Sequence, residues 1–348
     1  MTGALKAQTA YIDPGPKSQW ENTWGDSYGN RANRHLMAIG YFDGSTPSLF
    51  VSRGYYPGQT IMQTWDLVGG QLVQRWEFKA AKNGPNASYD GQGNHSINIA
   101  DLNGDGRDDV IFGSMAVDSY GKPLYSYGYG HGDAISVGKF IKGSKGLQIW
   151  SCFETGTTGA SFRDGIGREF FKLSGAGDIG RSLIANFHPD HNGYLMWAFH
   201  DNGAYYDTDG NKIGYLADHS SNWARYMSMA VWWTGSLNRQ LTWRNTLDAF
   251  NGTGFDRIQN FNPMGGAGYS NKDCPLWYGD IFGDWREELI YAKSDHTAIL
   301  IYSTSHETKY RIPYLMSDRT YRLSAINQNV GYNQHTNTGF YMGPDMFD

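Results

Sequence analysis

The stretch INIADLNGDGRDDVIFGSM, residues 97–115, joins two apolar runs through a turn crowded with oxygen-bearing side chains. Counted from Asp101, such side chains fall at positions one, three, five and nine (Asp101, Asn103, Asp105, Asp109), and Gly106 at position six permits a sharp bend. A calcium ion takes six to eight oxygens, and this spacing lets one short loop supply most of them, with the Arg107 backbone carbonyl as a further ligand at position seven. Position twelve is Phe112, where an EF-hand places a bidentate Glu. The residues that follow, Val110-Ile111-Phe112, favour a strand. The loop is therefore expected to bind calcium between two strands; an Asx-rich turn is the alternative, since Asn, Asp and Gly are ordinary turn residues.

Five other segments repeat this pattern of strand, turn and strand: 37–54, 135–153, 182–200, 227–244 and 276–293. Taking Tyr41, Asp101, Lys139, Asn186, Trp232 and Asp280 as equivalent points, the spacings are 60, 38, 47, 46 and 48 residues. A recurrence of about 40–50 residues built from hairpins predicts propeller blades. The expected fold is an all-β propeller of six blade-like repeats spanning residues 1–348 as one domain; a β-sandwich is the alternative. Val68-Gly69-Gly70 reads as a tight hairpin turn. The opening GALKAQTAY reads as the last strand of a preceding blade, and GFYMGPDMFD as the close of the chain soon after a strand. Helical periodicity is nearly absent.

Glycine contributes 45 of 348 residues and aromatics 15%, which implies many tight turns and many buried rings. A net charge of −5 gives no basic footprint for nucleic acid. No apolar run is long enough for a membrane helix, and the start MTGALKAQTAYID has no apolar core of a secretory signal. Two cysteines, Cys152 and Cys274, are too few for a disulfide framework, and a single bridge between them stays open.

WGDSYGNRANR, GQGNHSINIADLNGDGRDDVIFGSM, YGHGDAISVGKF, GDIGR, FGDWREELI and YRLSAINQNVGYNQ, in this order, resemble the calcium-rich, eight-bladed propeller family of rhamnogalacturonan lyases, from about residue 20 to the C-terminus. The resemblance implies cleavage of the alternating rhamnose and galacturonate backbone of pectin by β-elimination, outside the cell. It also implies two further blades on the N-terminal side, so that the propeller is expected to be incomplete there and either to self-associate or to take a partner that completes it.

Such an elimination needs the uronate carboxylate neutralised, a base for the C5 proton and an acid for the leaving oxygen. By motif, the family's basic pair falls on Arg181 in GDIGRSL and Lys272 in GYSNKDCP, its substrate loop on Ser270 and Asn271, and a substrate-contacting aromatic on Tyr332 in GYNQ. His95 in GNHS and His131 in GHGD match a metal-binding pair, with Asp133 beside them; a hydrogen-bonded turn role is the alternative for each. Asp280 and Asp284 of FGDWREEL, with Glu288, form another oxygen cage or a structural contact made by Trp285 and Arg286. The sequence departs from the family pattern at Trp233-Thr234-Gly235-Ser236, which lacks the carboxylates of a calcium loop, and at Tyr269-Ser270-Asn271-Lys272, where the family reads Asn-Gly-Thr-Lys and the backbone-contacting Gly is replaced. Two functions remain: the lyase, and a non-catalytic calcium-stabilised propeller that binds glycans or serves as scaffold.

Overall fold

The computed structural model describes residues 2–175, 177–199, 201–216, 229–268, 274–330 and 335–348. These form six four-stranded antiparallel sheets, one per sequence repeat. Sheet 1 comprises His35–Gly40, Ser48–Arg53, Gln59–Val68 and Gln71–Ala81; sheet 2, Asn98–Ala100, Asp109–Phe112, Met115–Val117 and Pro123–Ser126; sheet 3, Ile135–Gly138, Gln148–Cys152, Thr158–Asp164 and Glu169–Ser174. Sheet 4 holds Ser182–Ala185, Leu195–Ala198, Ala204–Tyr206 and Lys212–Tyr215; sheet 5, Met229–Val231, Gln240–Trp243, Thr246–Phe250 and Phe255–Asn260. In these five sheets each strand pairs with the next in sequence. In sheet 6, Gly266–Ala267, Trp277–Gly279 and Ile299–Tyr302 all pair with Glu288–Lys293.

The first strands of sheets 1 to 5 each contact the next, and each pair of neighbouring sheets shares an apolar cluster. Phe50 and Trp76 of sheet 1, with Phe42 from the turn between its first two strands, pack with Ile99, Val110 and Phe112 of sheet 2. Trp150 and Phe162 of sheet 3 meet Ile184 and Met196 of sheet 4, and Val231 and Leu247 of sheet 5 meet Tyr278, Leu289 and Tyr291 of sheet 6. A sheet covered on both faces buries every residue of its inner strands, as Ile135–Gly138 and Leu195–Ala198 do, which is why Leu195–Ala198 is continuously apolar rather than alternating. Sheet 6 differs on its far side. Tyr302 points into the cluster shared with sheet 5, so its neighbours Ile299 and Ile301 lie on the opposite face, where they are exposed.

Gly69 (φ 57°) and Gly70 (φ 80°) both take positive φ between the two long strands of sheet 1, the geometry of a type I′ hairpin turn. Residues 3–11, expected as a strand, form none. Sheet 1 already holds four strands, and the segment is tied by side chains instead: the Tyr11 hydroxyl donates to Ser52 O (2.5 Å), and Arg53 Nε donates to Ile12 O (2.8 Å). Nor does a strand precede the C-terminus among the described residues. In its place is the helix Arg319–Ile326, capped by the Asp318 carboxylate, which accepts from the N–H groups of Thr320 and Tyr321. The helix packs on the first strands of sheets 1, 2 and 3 and on Trp277–Gly279 of sheet 6. Cys152 and Cys274 are both buried and are not joined in a disulfide.

Candidate functional site

The segments that lead into the first strands of sheets 2 and 3 run side by side, joined by a parallel bridge between Asn94 and Gly132. His95 N donates to Gly132 O (3.0 Å), and Ser96 Oγ to Asp133 O (3.0 Å). Gly132 is required for this approach, because a Cβ there would stand 2.1 Å from Cys152 O and 2.8 Å from Asn94 Oδ1. Glu154, just beyond the second strand of sheet 3, is drawn in by its own N–H, which donates to His131 O (2.9 Å). The result is a cluster of His95, His131, Asp133 and Glu154 whose ligand atoms all lie within 4.8 Å of one another. His95 Nε2 is 3.4 Å from Asp133 Oδ1, and His131 Nε2 is 3.6 Å from Glu154 Oε1.

The donor chemistry fits a divalent cation. His131 Nδ1 donates to Gly93 O (2.5 Å), which fixes the tautomer and leaves the Nε2 lone pair facing the cluster; that atom is buried and has no hydrogen-bond partner among the described residues. Burial lowers the pKa of His131 to about 4, with the charges of Arg34 and Arg31 acting in the same direction against the Gly93 bond, so the ring is neutral at pH 7. His95 Nδ1 is 2.7 Å from the Tyr55 hydroxyl, which can accept its proton and free Nε2 for the carboxylates. Two imidazoles and two carboxylates suit a borderline divalent ion as well as calcium, which prefers oxygen.

The His95, His131 and Asp133 of the sequence reading thus converge, and Glu154 is the member that reading missed; nothing in SCFETG distinguishes it until the fold sets it against GHGD. Arg181 is half-buried immediately before the first strand of sheet 4, a position equivalent to the entry segments of sheets 2 and 3, and its carbonyl accepts from Phe199 N (2.8 Å). Ser270, Asn271, Lys272 and Tyr332 lie outside the described residues. The 101–109 loop sits at the other end of sheet 2's first strand from His95. There the Asp101 carboxylate accepts from the N–H groups of Gly104, Asp105 and Gly106 (2.8, 3.1 and 2.9 Å), and Asn103 Oδ1 accepts from Asp105 N (2.9 Å). Asp105 Oδ1 accepts from Arg107 N (2.8 Å). Asp109 is buried, and its two oxygens accept from Leu102 N (3.1 Å) and Ser119 N (2.9 Å).

Asp280 accepts from Gly283 N and Leu315 N (both 2.8 Å), while Asp284 pairs with Arg286. Glu288 caps the same turn by accepting from Ile281 N and Phe282 N (2.8 and 3.2 Å). In sheets 3 and 5 neutral amides do this work: Gln148 Oε1 accepts from Phe140 N and Ile141 N, and Gln240 Oε1 from Trp233 N and Thr234 N. The Trp233–Ser236 turn therefore keeps its shape without the carboxylates of its counterparts.

Residues 1–348 match the family "Rhamnogalacturonan lyase family 11, C-terminal domain" along their whole length. The chain is 39% identical over 331 residues to rhamnogalacturonan endolyase YesW of Bacillus subtilis, covering 93% of this chain and 51% of that protein. It is also 39% identical over 351 residues to rhamnogalacturonan exolyase YesX of the same organism, covering 95% and 56%. Among solved structures it resembles the Bacillus licheniformis rhamnogalacturonan lyase PL11 with a TM-score of 0.87 and 37% identity, over 97% of this chain and 56% of the other. The chain belongs to rhamnogalacturonan lyase family 11. It spans about half the length of these relatives.

Proposed function

We propose that the chain cleaves the rhamnogalacturonan I backbone of pectin by β-elimination at galacturonate, outside the cell, on a β-propeller whose six sheets are its blades. The observation that carries this reading is the His95, His131, Asp133 and Glu154 cluster at the entry to two neighbouring first strands, in a chain of this family. A divalent cation held by these four side chains would supply positive charge for the substrate carboxylate, which makes the C5 proton acidic. Arg181 and Lys272 flank the galacturonate: one takes the C5 proton as the C4–O bond breaks, the other holds the carboxylate, and the departing glycosidic oxygen takes up a proton from the newly protonated base or from water. Ser270 and Asn271 contact the sugar backbone, and Tyr332 orients the ring by stacking. Calcium occupies the loop of Asp101, Asn103, Asp105, the Arg107 carbonyl and Asp109, and a further ion is held at Asp280 and Asp284. The exposed Ile299 and Ile301 face of sheet 6 favours an open arc of blades that another copy or a partner completes.

The test is the ultraviolet absorbance of the unsaturated uronate formed from rhamnogalacturonan. Wild-type chain should generate it and Lys272→Ala should not, at unchanged melting temperature. Full activity of Lys272→Ala would overturn the assignment of the base.

A further inference from the structure

Two arginines outside the machinery described so far stand over the cluster. Arg31 and Arg34 leave the segment before sheet 1, and their guanidinium carbons lie over the Tyr56 ring at 5.3 and 5.6 Å. Arg34 is also 5.9 Å from the Tyr55 ring. Those rings form the wall of the cluster: Tyr55 stacks on His131 at 5.2 Å and 5°, Tyr56 lies 4.2 Å from the same imidazole, and both hydroxyls approach His95. Neither arginine pairs with a carboxylate among the described residues, and Arg34 Nε is buried without a hydrogen-bond partner. Both charges are close enough to disfavour protonation of His131. A divalent cation between Asp133 and Glu154 would balance those two carboxylates, so two guanidinium charges beside them remain unmatched. An unmatched buried donor costs free energy until an acceptor arrives, and a guanidinium placed over an aromatic ring keeps N–H donors that a carboxylate can take in a bidentate pair.

We propose that Arg34, with Arg31 beside it, forms a carboxylate-binding subsite next to the His95, His131, Asp133 and Glu154 cluster, and that it recognises a galacturonate residue of the polysaccharide. This subsite rests on the reading of the chain as one that takes rhamnogalacturonan. It would set the preference for free uronate over its methyl ester, a distinction that charge rather than shape makes.

The experiment is a calorimetric titration of metal-loaded protein with a rhamnogalacturonan oligosaccharide and with the same oligosaccharide methyl-esterified at its uronates. The wild type should bind the acid at least about tenfold more tightly than the ester. Arg34→Ala should bring the two within about twofold, and Arg34→Lys, which keeps the charge and the stem, should retain part of the preference, with bound metal and melting temperature unchanged in both. Arg34→Ala that weakens acid and ester equally, or that keeps the full acid preference, would overturn the proposal, as would a wild type indifferent to esterification. Catalysis is read separately: a wild type that prefers the acid but forms no unsaturated product defeats the lyase reading alone, whereas product formation with the acid preference intact in Arg34→Ala defeats the subsite alone.

Discussion

Arg239 and Glu287 form an ion pair at 3.2 Å with 1% and 0% of their side chains exposed, set in a buried network of hydrogen bonds. Glu287 accepts from the Tyr321 hydroxyl (2.6 Å), Thr336 Oγ1 (2.6 Å) and Trp232 N (2.9 Å), while Arg239 Nη1 donates to Thr336 O (2.7 Å) and its guanidinium lies 4.1 Å from the Trp232 ring. The pair thereby ties sheets 5 and 6 to the helix and to the C-terminal segment. Removing one partner of such a pair leaves a buried charge uncompensated, at a cost of about 3–5 kcal/mol. Glu287→Ala should lower the denaturant midpoint accordingly without changing the slope of the transition.

Arg319, the first residue of the helix, reaches back to sheet 2, where Nη2 donates to Asp108 Oδ1 (2.6 Å) and both Nη atoms lie 3.1 Å from Gly106 O. Asp108 is fully buried and also accepts from Tyr41 N (2.7 Å). Because Arg319 is partly solvated, Arg319→Ala should cost less than the loss of Glu287, about 1–3 kcal/mol. Amide exchange in 319–326 should rise, and a protected helix in the variant would refute the link.

Hairpins were legible in the sequence because the first two strands of sheets 2, 3 and 4 are buried throughout, so their largely apolar runs stand out between acid- and glycine-rich turns, while His35–Gly40 of sheet 1 shows the alternation of a strand with one covered face; all six repeats lie on the first two strands of a sheet or, in sheet 6, on Trp277–Gly279 and Glu288–Lys293. Outer strands such as Pro123–Ser126 and Lys212–Tyr215 are half-exposed and carry no comparable pattern. The helix was missed because its buried face, Tyr321, Leu323, Ser324 and Ala325, mixes a hydroxyl with apolar side chains and spans two turns only. In the site, the two histidines announced themselves by residue type. Glu154 and Asp108 did not, since an acid in a loop is ordinary until topology shows what it faces, across 21 residues of chain for Asp133 and Glu154 and 211 for Asp108 and Arg319.

Metal removal tests the cluster and the loop separately. Chelated protein should melt earlier and recover on adding the ion, by about 2.7 kcal/mol at a free concentration a hundred times Kd. His131→Ala and Glu154→Gln should each lose about one bound ion per chain by elemental analysis, whereas Asp105→Ala should lose a calcium and leave the cluster loaded. An unaltered metal content in all three would remove the metal from both places.

The last prediction concerns acid stability. His335 is buried, both ring nitrogens lack hydrogen-bond partners among the described residues, and burial, helped by the charge of Arg239, lowers its pKa to about 3. In the unfolded chain the ring takes a proton near pH 6.5, so between pH 6.5 and about 3 the unfolded state binds more protons than the native one. Its contribution to stability is therefore complete above pH 6.5 and is lost as the pH falls, at up to about 1.4 kcal/mol per pH unit. Asp109 acts with the opposite sign: burial raises its pKa to about 7, so the native state binds the extra proton and gains stability as the pH falls towards the ordinary carboxylate range. A difference between parent and His335→Gln cancels that opposing contribution, since Asp109 is common to both. Denaturant midpoints measured from pH 7 to pH 4 should fall more steeply for the parent than for His335→Gln; parallel curves would show that the ring becomes protonated within the fold.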